Sequence, residues 1–321
     1  MPIKLPSKPS NKAKTHTILL PTTHDIPSPF IDYITITYTP QTADETYEMY
    51  NAISTHQDYG SVVRDAPSGS KGAYNRVKKI VIDSIKEQKK WPLFQWQYVK
   101  GSNSIQNVRI TFVPKDLGAE GIIDLKHKLL TLGVDWSSLL KNGNVTRLDV
   151  TIDYPNLDIN SSLYMPKQAA KTQHWYGQGI LETITIGKST GNQTEIYDRG
   201  KKREQNKQSG FSGVRIERRL KNLHRKLWQI KDLGNPFLSI TLVKPLSNTS
   251  PVFAAAGDWI MFCDSASIRG LENALSLLTL KNRTIYRAHF KNSQLPEWQP
   301  VEIWNKWPAY LLESELLSPA L

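Results

Sequence analysis

Two stretches of strict alternation set the strongest limit on how this chain folds. In Arg147-Leu148-Asp149-Val150-Thr151-Ile152-Asp153 and in Val214-Arg215-Ile216-Glu217-Arg218-Arg219-Leu220 the odd positions are polar and most even positions apolar. A period of two is the mark of a strand with one face on a core, so Asp149, Asp153 and Glu217 stand on polar faces with their backs on that core. Between the two lies a third segment, Thr194-Glu195-Ile196-Tyr197-Asp198-Arg199-Gly200-Lys201-Lys202-Arg203, which reads as a strand ending in a tyrosine and followed by a basic run. Acids, a phenol and a base-rich strand therefore share one sheet.

The rest of the chain extends this pattern. Phe30 to Tyr38 alternates as a strand, and Thr42 followed by Glu45 forms a capping box that opens a helix to about His56. Strands are expected at 93–100 and 107–113, and a helix over 119–132, where Ile122, Leu125, Leu129 and Leu132 recur at helical spacing before Gly133. After the strand at 145–153 the pattern predicts a helix around 161–173 and strands at 181–187, 193–198 and 213–221. Strand, helix, strand, strand thus occurs in 30–113 and again in 145–221. The fold expected is α+β: a central antiparallel, saddle-like sheet of two similar halves with helices on one face. Beyond it, helices over 222–233 and 265–280 and a Trp-rich tail predict a helical C-terminal subdomain. The domains expected are a flexible basic arm at 1–29, a unit at 30–233 that carries the acids and the phenol, and a mostly helical region at 234–321.

Composition narrows the function. At 321 residues with 39% hydrophobic and 22% charged, the chain is that of a folded protein, and its net charge of +12 favours a polyanionic partner, nucleic acid first. Nine Trp and thirteen Tyr supply rings for a core or for stacking on bases. The one cysteine, Cys263, excludes an intrachain disulfide and a cysteine zinc site, as in a reducing cytoplasm, and no apolar run reaches signal-peptide or membrane length. No P-loop spacing occurs, and the seven histidines form no ligand cluster.

The remaining chemistry is attack on a phosphodiester. A phenol can form a phosphate ester that later leaves again, and Asp149 and Glu217, with Asp153 two pleats on, could hold one Mg²⁺ or Mn²⁺. The same residues also suit plain structural roles, Tyr197 as a strand tyrosine packed at a sheet edge and the acids as ion-pair partners of Arg147, Arg215 and Arg219.

Taken in order, these segments resemble the rolling-circle replication initiators of small Gram-positive plasmids, the Rep_trans type. Members carry Arg-Leu-Asp-(apolar)-x-(apolar)-Asp, seen here at 147–153; Ile-Tyr-(Asn/Asp)-Lys, seen as Ile196-Tyr197-Asp198-Arg199; and Arg-(apolar)-Glu-x-x-Leu-Lys, seen at 215–221. The strand Arg109-Ile110-Thr111-Phe112, followed by Pro114, is similar to theirs as well. The likeness spans roughly 107–221. Arg199 stands where relatives often have Lys, and Arg219 where they have a second acid.

The resemblance implies a nicking tyrosine at Tyr197, metal ligation by Asp149 and Glu217, and a DNA strand cut and rejoined through a 5'-phosphotyrosine. Arg199, Lys201, Lys202, Arg203, Arg215 and Arg218 would grip phosphates. The partners implied are origin DNA exposed as single strand or hairpin, a host DNA helicase and a second copy of the chain. A conjugative relaxase with the same site and a non-catalytic DNA-binding regulator are the alternatives.

Overall fold

The computed structural model describes residues 26–66, 74, 76–155, 157–167, 171–205, 212–244, 246–247 and 249–318. Most of the basic arm expected over 1–29 lies outside them.

The first half opens with β1 (Phe30–Tyr38) and α1 (Ala43–His56), where the Thr42 hydroxyl accepts the Glu45 amide hydrogen bond as an N-cap. Strands β2 (Val63–Asp65), β3 (Arg76–Ile80), β4 (Leu93–Tyr98) and β5 (Ile105–Phe112) then return to β1. α2 (Pro114–Thr131) and α3 (Trp136–Asn142) follow, joined through Gly133, whose φ of 77° suits a residue without Cβ. The second half comprises β6 (Asn144–Pro155), β7 (Leu163–Pro166), β8 (Thr172–Gly177), β9 (Ile180–Gly187), β10 (Gln193–Asp198), the short α4 (Arg199–Gln205) and β11 (Gly213–Lys226).

Ten of these strands form one antiparallel sheet in the order β2-β3-β4-β5-β1-β6-β11-β10-β9-β8. The two halves are laid out alike. Each starts with a central strand, β1 or β6, leaves for the far edge and comes back as a four-stranded meander, and the central strands pair with each other. Even positions of the inner strands, among them Ile34, Ile36, Leu148, Val150, Ile152, Ile196 and Ile216, are buried in one core with Ile122, Leu125 and Leu129 of α2 and Trp136 of α3. The odd positions carry the polar row.

Three expected helices differ. Around 161–173 the chain forms β7 and β8. Aromatic and β-branched residues there find strand partners, in β9 for β8 and in β12 (Ile240–Val243) for β7. Over 222–233, β11 instead continues to Lys226, kinked where Asn222 and His224 take φ of 54° and 48°, before a 3-10 turn at Leu227–Asp232. The helix at 265–280 is two, α5 (Ala256–Arg269) and α6 (Leu271–Ser276), parted by Gly270 at φ 81°.

The remaining helices are α7 (Leu280–Asn292), α8 (Pro300–Asn305) and α9 (Trp307–Glu313). Residues 234–318 feed two cores. Trp259, Phe262, Leu275, Tyr286 and Phe290 pack with Met165 and Val243 into a second cluster, while Trp298, Ile303, Trp307 and Leu311 join the sheet core. Among the described residues no helix is long and apolar enough to cross a membrane.

Candidate active site

Register places the sequence-derived residues on one face. Tyr197 of β10 lies opposite Arg215 of β11, which lies opposite Asp153 of β6. One step along, Glu195 opposes Glu217 and Glu217 opposes Thr151; one further, Gln193 opposes Arg219 and Arg219 opposes Asp149. All three acids expected as ligands are therefore on the face that carries Tyr197, as are Arg215 and Arg219.

Each acid is held by an arginine. Arg147 grips Asp149 with two hydrogen bonds, Nε at 2.9 Å and Nη2 at 2.5 Å, and lies 4.2 Å over the Tyr33 ring. Arg215 forks onto Asp153 at 2.6 and 2.8 Å and reaches Asp32 at 3.0 Å, with Lys115 3.3 Å from Asp153 on the other side. Asp32 sits at a register shift of β1, and a bulge of that kind re-aims a side chain. Arg219 bonds Glu217 at 2.6 Å, forks onto Glu195, and stands 3.9 Å from Asp149.

The electrostatics follow from this packing. Burial pushes the Asp149 carboxyl up to about 6, against the pull of Arg147. Burial acts the same way on Asp153, but the Arg215 fork and Lys115 outweigh it and hold that carboxyl below the usual range. Asp32 is raised, chiefly by burial.

These contacts bear on the expected divalent ion. Among the described residues no group of three or more His, Cys, Asp and Glu side chains is arranged to hold a metal. Glu195, Glu217 and Asp149 converge instead on the Arg219 guanidinium, and Asp153 is occupied by Arg215 and Lys115. A hard cation needs open carboxylate oxygens, and this donor set does not fit one.

Tyr197 is buried, 3% exposed, at the end of its strand. Asp198 terminates the strand by accepting the Lys201 amide hydrogen bond at 3.0 Å, which starts α4 directly after the tyrosine. The helix folds back so that Lys202 Nζ lies 3.9 Å from the centre of the Tyr197 ring. Tyr197, Glu195, Thr183, Lys201 and Lys202 line a small cleft of about 140 Å³. Burial raises the phenol well above its ordinary value; Arg215 opposes the rise, and Glu217 and Asp32 add to it.

The other expected basic residues are spread out. Arg199 is half-buried on α4 with Nε enclosed and without a hydrogen-bond partner. Arg203 belongs to the same helix, but its side chain lies outside the described residues. Arg215 is fully engaged by acids. Arg218 points to the opposite, helix-covered face, beside Thr194, so it does not stand with Tyr197.

One residue of this face escaped the sequence reading. Trp175 on the edge strand β8 pairs with Thr183, which pairs with Tyr197, so the row runs Trp175, Thr183, Tyr197, Arg215, Asp153. The indole is 58% exposed, whereas most of the other tryptophans are packed in the two cores. The signal was the Trp175-Tyr176 pair, which lies between the helix expected around 161–173 and the strand expected at 181–187.

No family model and no curated protein matches the chain. Among solved structures it is similar to a rolling circle replication initiator protein from Geobacillus stearothermophilus, at 14% identity and a TM-score of 0.37, over 76% of this chain and 98% of that one. So shallow a likeness carries no argument, and the functional reading rests on the residues above.

Proposed function

We propose that this chain nicks and rejoins one DNA strand at an origin, starting rolling-circle replication of a plasmid or similar small replicon. The observation that carries the reading is Tyr197 itself: a strand-end phenol in a cleft beneath a lysine-bearing helix, in one cross-strand row with an exposed tryptophan. The ordered motifs at 147–153, 196–199 and 215–221 support the same reading.

In this mechanism Tyr197 Oη attacks the scissile phosphorus, the P–O3' bond breaks, and O3' leaves with the electron pair and takes up the proton given up by the phenol. The products are a 5'-phosphotyrosyl link and a free 3'-hydroxyl, from which synthesis proceeds once a helicase separates the strands. Rejoining reverses the step. Lys201 and Lys202, with Arg199 behind them, offset the charge that grows on the phosphate oxygens. Arg215, its donors taken by Asp153 and Asp32, contributes through charge and by fixing the strand beside the tyrosine. Asp149, Asp153 and Glu217 keep the arginine lattice in place, and no step passes through a metal. Trp175, two strands away and so about 10 Å from the tyrosine, offers a face for an unpaired base of the bound strand.

The test is covalent capture. Tyr197→Phe retains binding to a single-stranded origin oligonucleotide and forms no SDS-resistant protein–DNA adduct. An adduct of undiminished yield moves the nucleophile to another tyrosine. Two other tyrosines of the second half are poorly placed: Tyr154 and Tyr176 donate their hydroxyls to the carbonyls of Glu297 and Ile268, each at 3.3 Å.

A further inference from the structure

On the side of the sheet away from Tyr197, Arg218 carries a charge that no acid among the described residues neutralises. Along β11 the even positions Val214, Ile216 and Leu220 are buried apolar residues, and Arg218 interrupts them. Its guanidinium donates to the Thr194 hydroxyl, while Nε is enclosed and bonded to nothing. Burial alone lowers its affinity for a proton, to about 10, and no acid acts on it in the other direction. The contrast with Arg147, Arg215 and Arg219 is sharp, because each of those ends on a carboxylate.

Arg218 opens into a cavity of about 500 Å³ between the sheet and the segment that carries β12, a volume in the usual range for a small ligand. Lys167, Asn192, Thr194 and Asn235 line it with Arg218, over apolar walls that include Leu238, and no Asp or Glu is among its lining residues. A cation held in a partly closed apolar site is costly unless an anion meets it. Asn235 is held by Pro300 and Phe237. That leaves two cations, the Asn192 amide and the Thr194 hydroxyl with no competing acid to match the oxygens of a phosphate, which takes a guanidinium in bidentate fashion and an amide donor beside it.

We infer that this cavity is a second, non-catalytic site that binds a phosphate group, with Arg218 as its main anchor and Lys167 at its rim. The phosphate could belong to the backbone of bound DNA or to a free mononucleotide. The site is separate from the nicking cleft, and its existence does not depend on Tyr197 being a nucleophile.

Thermal unfolding of the full chain tests it, with inorganic phosphate against chloride at matched ionic strength. At ten times its Kd, phosphate raises the Tm of the native protein by about 2 °C. The rise disappears in Arg218→Met, a change that keeps an unbranched stem and removes the charge, and shrinks in Lys167→Gln. No rise, or an equal rise in the native protein and both variants, overturns the inference. If Arg218→Met does not fold, Lys167→Gln decides alone, and an undiminished rise in that variant refutes the site. Two further arms identify the source. Stabilisation by dAMP but not by a short single-stranded oligonucleotide marks a mononucleotide site, and competition between the oligonucleotide and phosphate marks a backbone contact.

Discussion

Tyr197 and Arg215 face each other directly on β10 and β11, and all three guanidinium nitrogens of the arginine end on carboxylates, two on Asp153 and one on Asp32. The phenol thus has a cation beside it that is already paired with two carboxylates. That explains why burial wins and its proton is held tightly.

A pH dependence follows from the sign of that shift. Tyr197 is an acid whose neutral form is favoured by burial, so its ionised fraction is small at neutral pH and grows with rising pH beyond the range of an ordinary phenol. The rate of adduct formation therefore climbs about tenfold per pH unit between pH 7 and 10 and reaches no plateau there. Single-turnover kinetics on an origin oligonucleotide measure it. A plateau near pH 8 would falsify the assignment of a raised phenol to the reacting group.

Arg215 is also structural. Arg215→Met leaves Asp153 and Asp32 with Lys115 as their remaining counter-charge, and urea unfolding registers a loss of about 3–5 kcal/mol. Arg215→Lys recovers only part, since an ammonium cannot reproduce the two parallel bonds to Asp153. Full recovery by lysine would show that charge alone, not the fork, holds the strands.

Arg219 occupies the point where Glu195, Glu217 and Asp149 converge. Arg219→Gln therefore opens a carboxylate cage: Mn²⁺ at millimolar concentration raises the Tm of that variant and EDTA reverses the effect. The native protein shows no such response. A Mn²⁺-dependent rise in the native protein that is lost in Asp149→Asn would mean that the acids bind an ion despite their arginines.

Trp175 is expected to hold a base. Trp175→Ala weakens binding of a single-stranded origin oligonucleotide by about 1–3 kcal/mol without changing the unfolding curve, and Trp175→Phe restores most of it. Trp228, the other well-exposed tryptophan at 43%, serves as the control and shows no effect. Equal losses from both would indicate general contact rather than a stacking position in line with Tyr197.

Much of this was legible in the sequence because period-two alternation is a strong signal where one face is buried. The strands at 30–38, 145–153, 193–198 and 213–221 and the polar face they share follow from it directly. What the alternation does not contain is who pairs with whom. Asp149, Asp153 and Glu217 read equally well as ligands or ion-pair partners until register placed Arg219 and Arg215 opposite them. Residues 161–173 were misread for a different reason: their apolar spacing is compatible with a helix, and only the open edge of β9 and the partner β12, the latter more than 60 residues away, make strands the better choice. Arg218 was grouped with the phosphate-gripping residues by charge, although its even position already assigned it to the other face.

The likeness of the two halves also bears on how the tyrosine is governed. The halves meet through the β1–β6 pair, and at that seam Arg215 holds Asp153 from one half and Asp32 from the other. The arginine is a clasp across the pseudo-dyad. One side chain thus ties the two halves together at the position directly opposite Tyr197, so that the strand facing the phenol is anchored in both halves rather than in its own alone.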